Sequence, residues 1–201
     1  YMNGDVFTGG DSGIIDTHFI SLIGAGVVVM LGVINSIGST TFSREGKNFW
    51  IQRTLPIKVQ DQIIGRILSS LFVQLIGIIA LLSSLHFMIE LKLENIFWIT
   101  VIGLLGSIVM VEIGMVVDIF RPLLDWDNPQ KVMKQNLNVV IAMGIGMLYL
   151  LGVGLLARKL MTLEVSLIIL YGVPIMIFII SSLGLYIVLR KLIEKQFQLL
   201  E

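Results

Sequence analysis

One carboxylate lies inside an apolar stretch long enough to cross a membrane. Glu112 comes five residues before Val117, the last residue of that stretch, which is about 8 Å along a helix. A charged side chain within a span costs roughly 3 kcal/mol, so such a residue is a candidate functional site. We therefore predict an intramembrane polar site at Glu112. It would be a structural ion pair, a carboxylate that snorkels to the interface, or a site for a proton or substrate.

Other patterns of residues that carry out chemistry are missing from the sequence. The two histidines, His18 and His86, belong to no HExxH motif, and we predict that both snorkel at the ends of spans. The chain has no cysteine, no GxxxxGK[ST] phosphate loop and no GxSxG nucleophile elbow. We therefore expect no catalytic residue, no metal site and no cofactor in this chain, and we expect that it is not an enzyme.

The composition is that of an integral membrane protein. Hydrophobic residues make up 56% of the 201 residues and charged residues 14%, against about a quarter charged in soluble domains. The net charge is zero, which gives no global attraction for nucleic acid. The chain begins at Tyr1 without a signal peptide, and we expect it to be part of a longer protein.

Five apolar runs predict an all-α, polytopic bundle of transmembrane helices in a lipid bilayer. Each run is about 20 residues or longer, and none shows the alternation of a membrane barrel. The predicted spans are residues 18–42, 67–89, 96–117, 137–157 and 163–189. The polar segments between and beside them are residues 1–17, 43–66, 118–136 and 190–201, and a tight link at residues 158–162 is expected to join the last two spans.

The distribution of basic residues predicts the orientation of these spans. Eleven of the 14 Lys and Arg residues fall in the segments 43–66, 118–136 and 190–201, which five spans would place on one side. Positively charged loops stay in the cytoplasm. We therefore expect these three segments inside, residues 1–17 in an extracellular loop, the N-terminal end outside and the C terminus inside.

Small and polar residues of the first span predict close packing. Gly24, Gly26, Gly32 and Gly38 would let a neighbouring helix approach, since small residues line helix contacts in membranes. Asn35 is expected to form a hydrogen bond to another helix.

The segment 43–66 combines charge with apolar side chains. It holds five basic residues and two acidic ones, together with Phe49, Trp50, Ile51, Leu55 and Ile57. Such a segment is expected to lie against the membrane or a partner rather than in water alone. A turn at Pro56 is predicted to start a helix that continues into the second span.

The segment 118–136 is the second polar segment. Its Asn128-Pro129 pair predicts an N-cap and the first residue of a short surface helix.

The order of motifs in these two segments resembles that of type-2 ATP-binding-cassette exporter permeases. The motifs are Arg44-Glu45-Gly46, then Leu55-Pro56-Ile57, then Gly65-Arg66 at the start of a span. The longer strings SREGKNFWIQRTLPI and LDWDNPQKVMKQN are similar to large exporter permeases of Gram-positive bacteria, over residues 43–138. Arg66 stands where the family usually has lysine.

The resemblance implies a permease subunit in a bacterial cell membrane that couples ATP hydrolysis by a separate cytoplasmic ATPase to export of a substrate. ATP and Mg²⁺ would bind to that ATPase, and a second transmembrane half or a second copy would complete the pathway. It also implies a contact with the ATPase formed by Glu45, Gly46, Trp50, Leu55, Pro56 and Ile57.

Two other functions fit the same sequence. The first is an integral membrane enzyme whose active groups lie in a missing N-terminal part. The second is an ion-coupled secondary transporter that uses Glu112 as its proton or ion site.

Overall fold

The computed structural model describes residues 13–54, 56–89 and 91–198, and these ranges contain helices and turns but no strand. Five of its helices are long and apolar enough to cross a membrane, which confirms the predicted all-α bundle with five spans. The helices are α1 (Gly13–Ile34), α2 (Ile51–Thr54), α3 (Val59–Ile89), α4 (Leu93–Phe120), α5 (Pro129–Lys134), α6 (Leu137–Thr162) and α7 (Leu167–Gln198). Two 3-10 segments, Gly38–Thr40 and Ser43–Asn48, follow α1.

Helix α4 lies at the centre of the bundle. In its most apolar 18-residue window 56% is buried, against 11% in that of α6. Its side chains contribute to each of the three clusters that form the core, through residues such as Ile99, Met110 and Met115. A helix that is apolar on all sides is expected to occupy this position.

Small residues set the distance between α1 and α4. A methyl group added at Gly103 would lie 2.4 Å from Val28, and one added at Gly24 would lie 2.7 Å from Ile99. Gly32 and Gly38 of the first span also pack against α4, as predicted. The prediction for Gly26 is wrong, because an added methyl group there would meet nothing within 4 Å.

Polar side chains join α1 to α3. The side chain of Asn35 donates to the Ser70 hydroxyl at 3.3 Å, which confirms the predicted hydrogen bond between helices. About one turn further along α3, the side-chain amide of Gln74 donates to the Val28 carbonyl at 2.8 Å. Both bonds satisfy groups for which a membrane offers no water.

Several helix boundaries were predicted and others were not. Asn128 caps α5 by accepting a bond from the Gln130 amide at 2.9 Å, as predicted. Helix α3 starts at Val59, three residues after Pro56, so the second span extends back into the charged segment. Helix α6 continues through Thr162, where a loop was expected, and the turn to α7 lies at residues 163–166.

The end of the bundle where α4 and α7 begin holds a buried aromatic and polar cluster. His18 lies 8% exposed and shares a 2.7 Å hydrogen bond with the Tyr171 hydroxyl. Trp98 stacks on the Tyr171 ring with the centroids 4.2 Å apart. The prediction that His18 snorkels to the interface is therefore wrong, because a hydroxyl inside the bundle takes the place of water. His86 is exposed.

Candidate functional site

A partly buried ion pair joins the chain after α1 to the start of α3. The guanidinium of Arg66 contacts the carboxylate of Glu45, and their side chains are only 12% and 17% exposed. Arg66 also donates to the Thr41 carbonyl at 2.8 Å, and its guanidinium carbon lies 4.4 Å from the centre of the Phe42 ring. Arginine suits such a site because its planar fork binds several acceptors at once. The pair therefore fixes α3 to the 3-10 segment Ser43–Asn48.

A second buried carboxylate, Asp118 at the end of α4, joins three parts of the chain. It accepts hydrogen bonds from the backbone amides of Phe42 and Ser43 at 2.7 and 2.9 Å, and from the Ser43 hydroxyl. The Asn138 side chain, at the start of α6, donates to it at 2.9 Å. The Ser43 hydroxyl in turn accepts from the Leu123 amide at 2.9 Å. Asp118 thus connects the end of the first span with α4 and α6.

Gly46 lies beneath an indole ring in a backbone conformation that only glycine adopts easily. Its φ is 52° and its ψ is −131°. A methyl group at this position would lie 2.8 Å from the indole nitrogen of Trp126. That nitrogen donates to the Ser43 carbonyl at 2.9 Å, so the ring is held in place. The segments 43–66 and 118–136 therefore pack together at one end of the bundle.

The predicted contact residues divide into two groups. Gly46 is buried and the Glu45 side chain is largely buried, so both support the segment from inside. Trp50 and Ile57 are 60% and 48% exposed, and Pro56 is also exposed. Leu55 lies outside the described residues. The exposed members, together with the neighbouring Ile51, make up what we call the apolar end patch, defined by Trp50, Ile51, Pro56 and Ile57.

Charged side chains and a cleft surround the apolar end patch. The cleft has a volume of about 500 Å³ and lies between the 3-10 segment and α3. Its walls carry both signs of charge, from Arg44, Glu45, Asp61 and Arg66. Lys58 is exposed beside the patch, and Lys47 lies 3.7 Å from the Asp125 carboxylate. Because both side chains of that last pair are exposed, it adds little to stability.

Glu112 lies between α4 and α7. It is 1% exposed and is hydrogen-bonded to the side chain of Ser182, while its Oε2 has no hydrogen-bond partner in the described chain. The prediction of a snorkelled carboxylate is therefore wrong. The prediction of an ion pair also fails among the described side chains, because Glu112 belongs to none of the ion pairs found there, which are Lys47–Asp125, Glu45–Arg66 and Arg190–Glu194.

Three residues of the site were not singled out from the sequence. In the sequence alone, Asp118 and Trp126 are ordinary members of the polar segment 118–136, and Asn138 is the second residue of the predicted fourth span. A buried aspartate at a helix end leaves no local signal, because its partners lie up to 76 positions away. The part of the chain that the structure describes contains no group of three or more metal-binding side chains.

Comparison with protein-family models, with curated proteins and with solved structures gives no match to this chain.

Proposed function

We propose that this chain is the transmembrane permease subunit of an ATP-binding-cassette exporter, driven by a separate cytoplasmic ATPase. The observation that carries the proposal is the apolar end patch, whose side chains are exposed although the segment beneath them is fastened by buried contacts. An exposed apolar patch on a rigid base is a typical protein-binding surface. The motif order of residues 43–66 gives the kind of partner, since it resembles exporter permeases.

The buried contacts explain how movement of the patch would reach the spans. Arg66 is part of α3, and its bonds to Glu45 and Thr41 join that helix to the segment next to the patch. Asp118 joins the same segment to α4 and α6. A push from a closing ATPase pair would thus act on three membrane helices together, since packed elements move as rigid bodies.

The charge distribution supports the orientation of the chain in the membrane. The segments 43–66 and 118–136 pack together at one end of the bundle and carry eight of the 14 basic residues. We place this end in the cytoplasm, with the C terminus, and the N-terminal end outside, because basic loops are retained inside. The membrane would then be a bacterial cell membrane, as the resemblance implies.

The partners follow from the same proposal. The ATPase would bind ATP and Mg²⁺, so this chain would need no cofactor site of its own. A second transmembrane half or a second copy completes the export path. Large exposed apolar side chains on α3 and α6, such as Phe72, Ile79 and Leu148, offer surfaces for lipid or for that second half.

Disruption of the apolar end patch tests the proposal. Ile57→Asp and Pro56→Gly should lower the amount of P-loop ATPase that co-purifies with the tagged chain in mild detergent. For Ile57→Asp we expect a decrease of about tenfold, since an apolar side chain buried at an interface contributes roughly 1.5–3 kcal/mol. Leu55→Asp should have the same effect, as the sequence resemblance implies for this residue.

A matched control comes from the opposite end of the bundle. Leu93 is exposed at the first turn of α4, so Leu93→Asp should leave the recovery of ATPase unchanged. All variants must insert at the level of the unaltered chain. Recovery of no P-loop ATPase with the unaltered chain, or equal recovery with Ile57→Asp and Leu93→Asp, would refute the proposal.

One observation favours a second candidate function, an ion-coupled secondary transporter. Glu112 is buried among membrane helices with one carboxyl oxygen unpaired in the described chain. Such groups bind protons or cations in transporters. Under this alternative, Glu112→Gln abolishes proton-driven uptake in vesicles without ATP. Under the permease proposal, Glu112→Gln leaves ATP-driven export in place.

A further inference from the structure

A lateral cavity lies between α1 and α6 at the end of the bundle opposite the apolar end patch. Its volume is about 380 Å³, within the range of ligand pockets. Leu22 and Ile23 of α1 and Leu150 and Val153 of α6 form its walls, and Phe178 of α7 is at its floor. The lining is apolar throughout except for one charged side chain.

The cavity exists because α1 and α6 diverge along their length. They are close at Gly146, where an added methyl group would lie 3.3 Å from Val33. Further along, a methyl group added at Gly154 or at Gly26 would meet nothing within 4 Å. Both of these glycines line the cavity. The absence of side chains at these positions therefore leaves the space open.

The length of the cavity fits one leaflet of a bilayer. On α6 it extends from Leu150 to Met161, which is about 16 Å at 1.5 Å per residue. The hydrocarbon core of a bilayer is roughly 30 Å thick, so the cavity spans about half of it. A transmembrane helix from a partner would need the full thickness, whereas an acyl chain needs half.

The single charge lies near the end of α6. Arg158 lines the cavity about one turn before α6 ends at Thr162, and its side chain is exposed. Among the side chains that the structure describes, no carboxylate forms an ion pair with Arg158. A cation at the membrane interface beside an apolar slot is complementary to an acidic headgroup above an acyl chain.

We propose that this cavity binds one acyl chain of an anionic lipid, with the acidic headgroup on Arg158. The inference does not rest on the proposed function, because it uses only the cavity and its charge. The apolar walls take the chain, and the guanidinium binds a phosphate oxygen through charge-assisted hydrogen bonds. The headgroup would then discriminate between lipids, whereas the walls would bind any chain of suitable length.

Two lysolipids with the same acyl chain test the proposal. Native mass spectrometry of the purified chain should show lysophosphatidylglycerol bound about tenfold more tightly than lysophosphatidylcholine. Arg158→Gln should remove this preference and leave lysophosphatidylcholine unchanged. Gly154→Leu, which fills the cavity, should lower the affinity for both by about tenfold or more.

Two control variants separate the site from general effects. Lys159→Gln removes the neighbouring cation, which does not line the cavity, and Gly184→Leu adds the same bulk at an exposed position of α7. Both should bind the two lysolipids like the unaltered chain. Equal affinity for the two lysolipids, or an unchanged preference in Arg158→Gln, would overturn the role of the headgroup.

The site itself has its own test. Undiminished binding in Gly154→Leu would overturn the assignment of the cavity. The chain has no cysteine, so Val153→Cys adds a single thiol beside the slot. Oxidation to a disulfide-linked dimer in native membranes would also overturn the proposal, because a second copy would then occupy the cavity.

Discussion

Replacing Asp118 with alanine removes the carboxylate that accepts four buried hydrogen bonds. Two come from backbone amides, one from the Ser43 hydroxyl and one from the Asn138 amide. Hydrogen bonds between membrane helices contribute about 0.6 kcal/mol on average and up to roughly 1.7 kcal/mol, and we take about 1 kcal/mol for each of these four bonds. Asp118→Ala should therefore lower the free energy of unfolding by about 4 kcal/mol.

The asparagine variant gives a graded comparison at the same position. Asp118→Asn keeps one carbonyl oxygen for the two backbone amides. Its NH₂ group takes the place of Oδ1, which accepts from the Ser43 hydroxyl and from the Asn138 NH₂ group, so that these two bonds are lost. We expect a decrease of roughly 2 kcal/mol, between that of alanine and zero.

Unfolding by sodium dodecyl sulfate from mixed micelles, followed by circular dichroism, measures these differences. Asp125→Ala is the matched control, since its carboxylate is 94% exposed in the same polar segment and should change stability by less than about 0.5 kcal/mol. If Asp118→Ala destabilised the chain no more than Asp125→Ala, Asp118 would not join α4 and α6 to the end of the first span.

Three further variants test separate parts of the structure. Gly46→Ala should lower the free energy of unfolding by about 1–3 kcal/mol, because its φ of 52° and the Trp126 ring leave no room for a methyl group. Gly103→Ala should lower it by about 1–3 kcal/mol in the same assay, because the methyl group would lie 2.4 Å from Val28. Glu112→Gln should change it by less than about 1 kcal/mol, because the amide keeps the bond to a hydroxyl of α7.

The two glycine variants have matched controls. Gly65→Ala and Gly144→Ala add a methyl group where nothing lies within 4 Å, so both should be neutral or stabilising by up to about 1 kcal/mol. If Gly103→Ala lowered the free energy of unfolding no more than Gly144→Ala, α1 and α4 would not be in close contact at Gly103. A loss of several kcal/mol in Glu112→Gln would show that the ionised carboxylate is required for stability.

The sequence predicts the helices well because the signals for them are local. An apolar run of about 20 residues is sufficient to specify a span, and an Asn-Pro pair is sufficient to start α5 at Pro129. The prediction of a loop at residues 158–162 was wrong, and the reason for this is also local. Arg158 and Lys159 suggested a loop, but long basic side chains reach water from the end of a helix.

The candidate site is harder to predict because its contacts are distant in the sequence. Glu45 and Gly46 were expected to contact a partner, and the structure buries Gly46 and leaves Glu45 partly buried in the wall of the cleft. Their charge and backbone freedom also serve the contacts with Arg66 and Trp126. Only packing between segments decides which polar residues are buried, and a single sequence carries no record of that packing.

The most direct measurement of the central claim is photo-crosslinking from the apolar end patch. The photoreactive amino acid p-benzoylphenylalanine replaces Trp50, which is 60% exposed, in the chain expressed in its native membranes. The permease proposal predicts a crosslinked polypeptide whose peptides include a GxxxxGK[ST] phosphate loop. Crosslinks only to lipid, or only to polypeptides that lack such a loop, would contradict it.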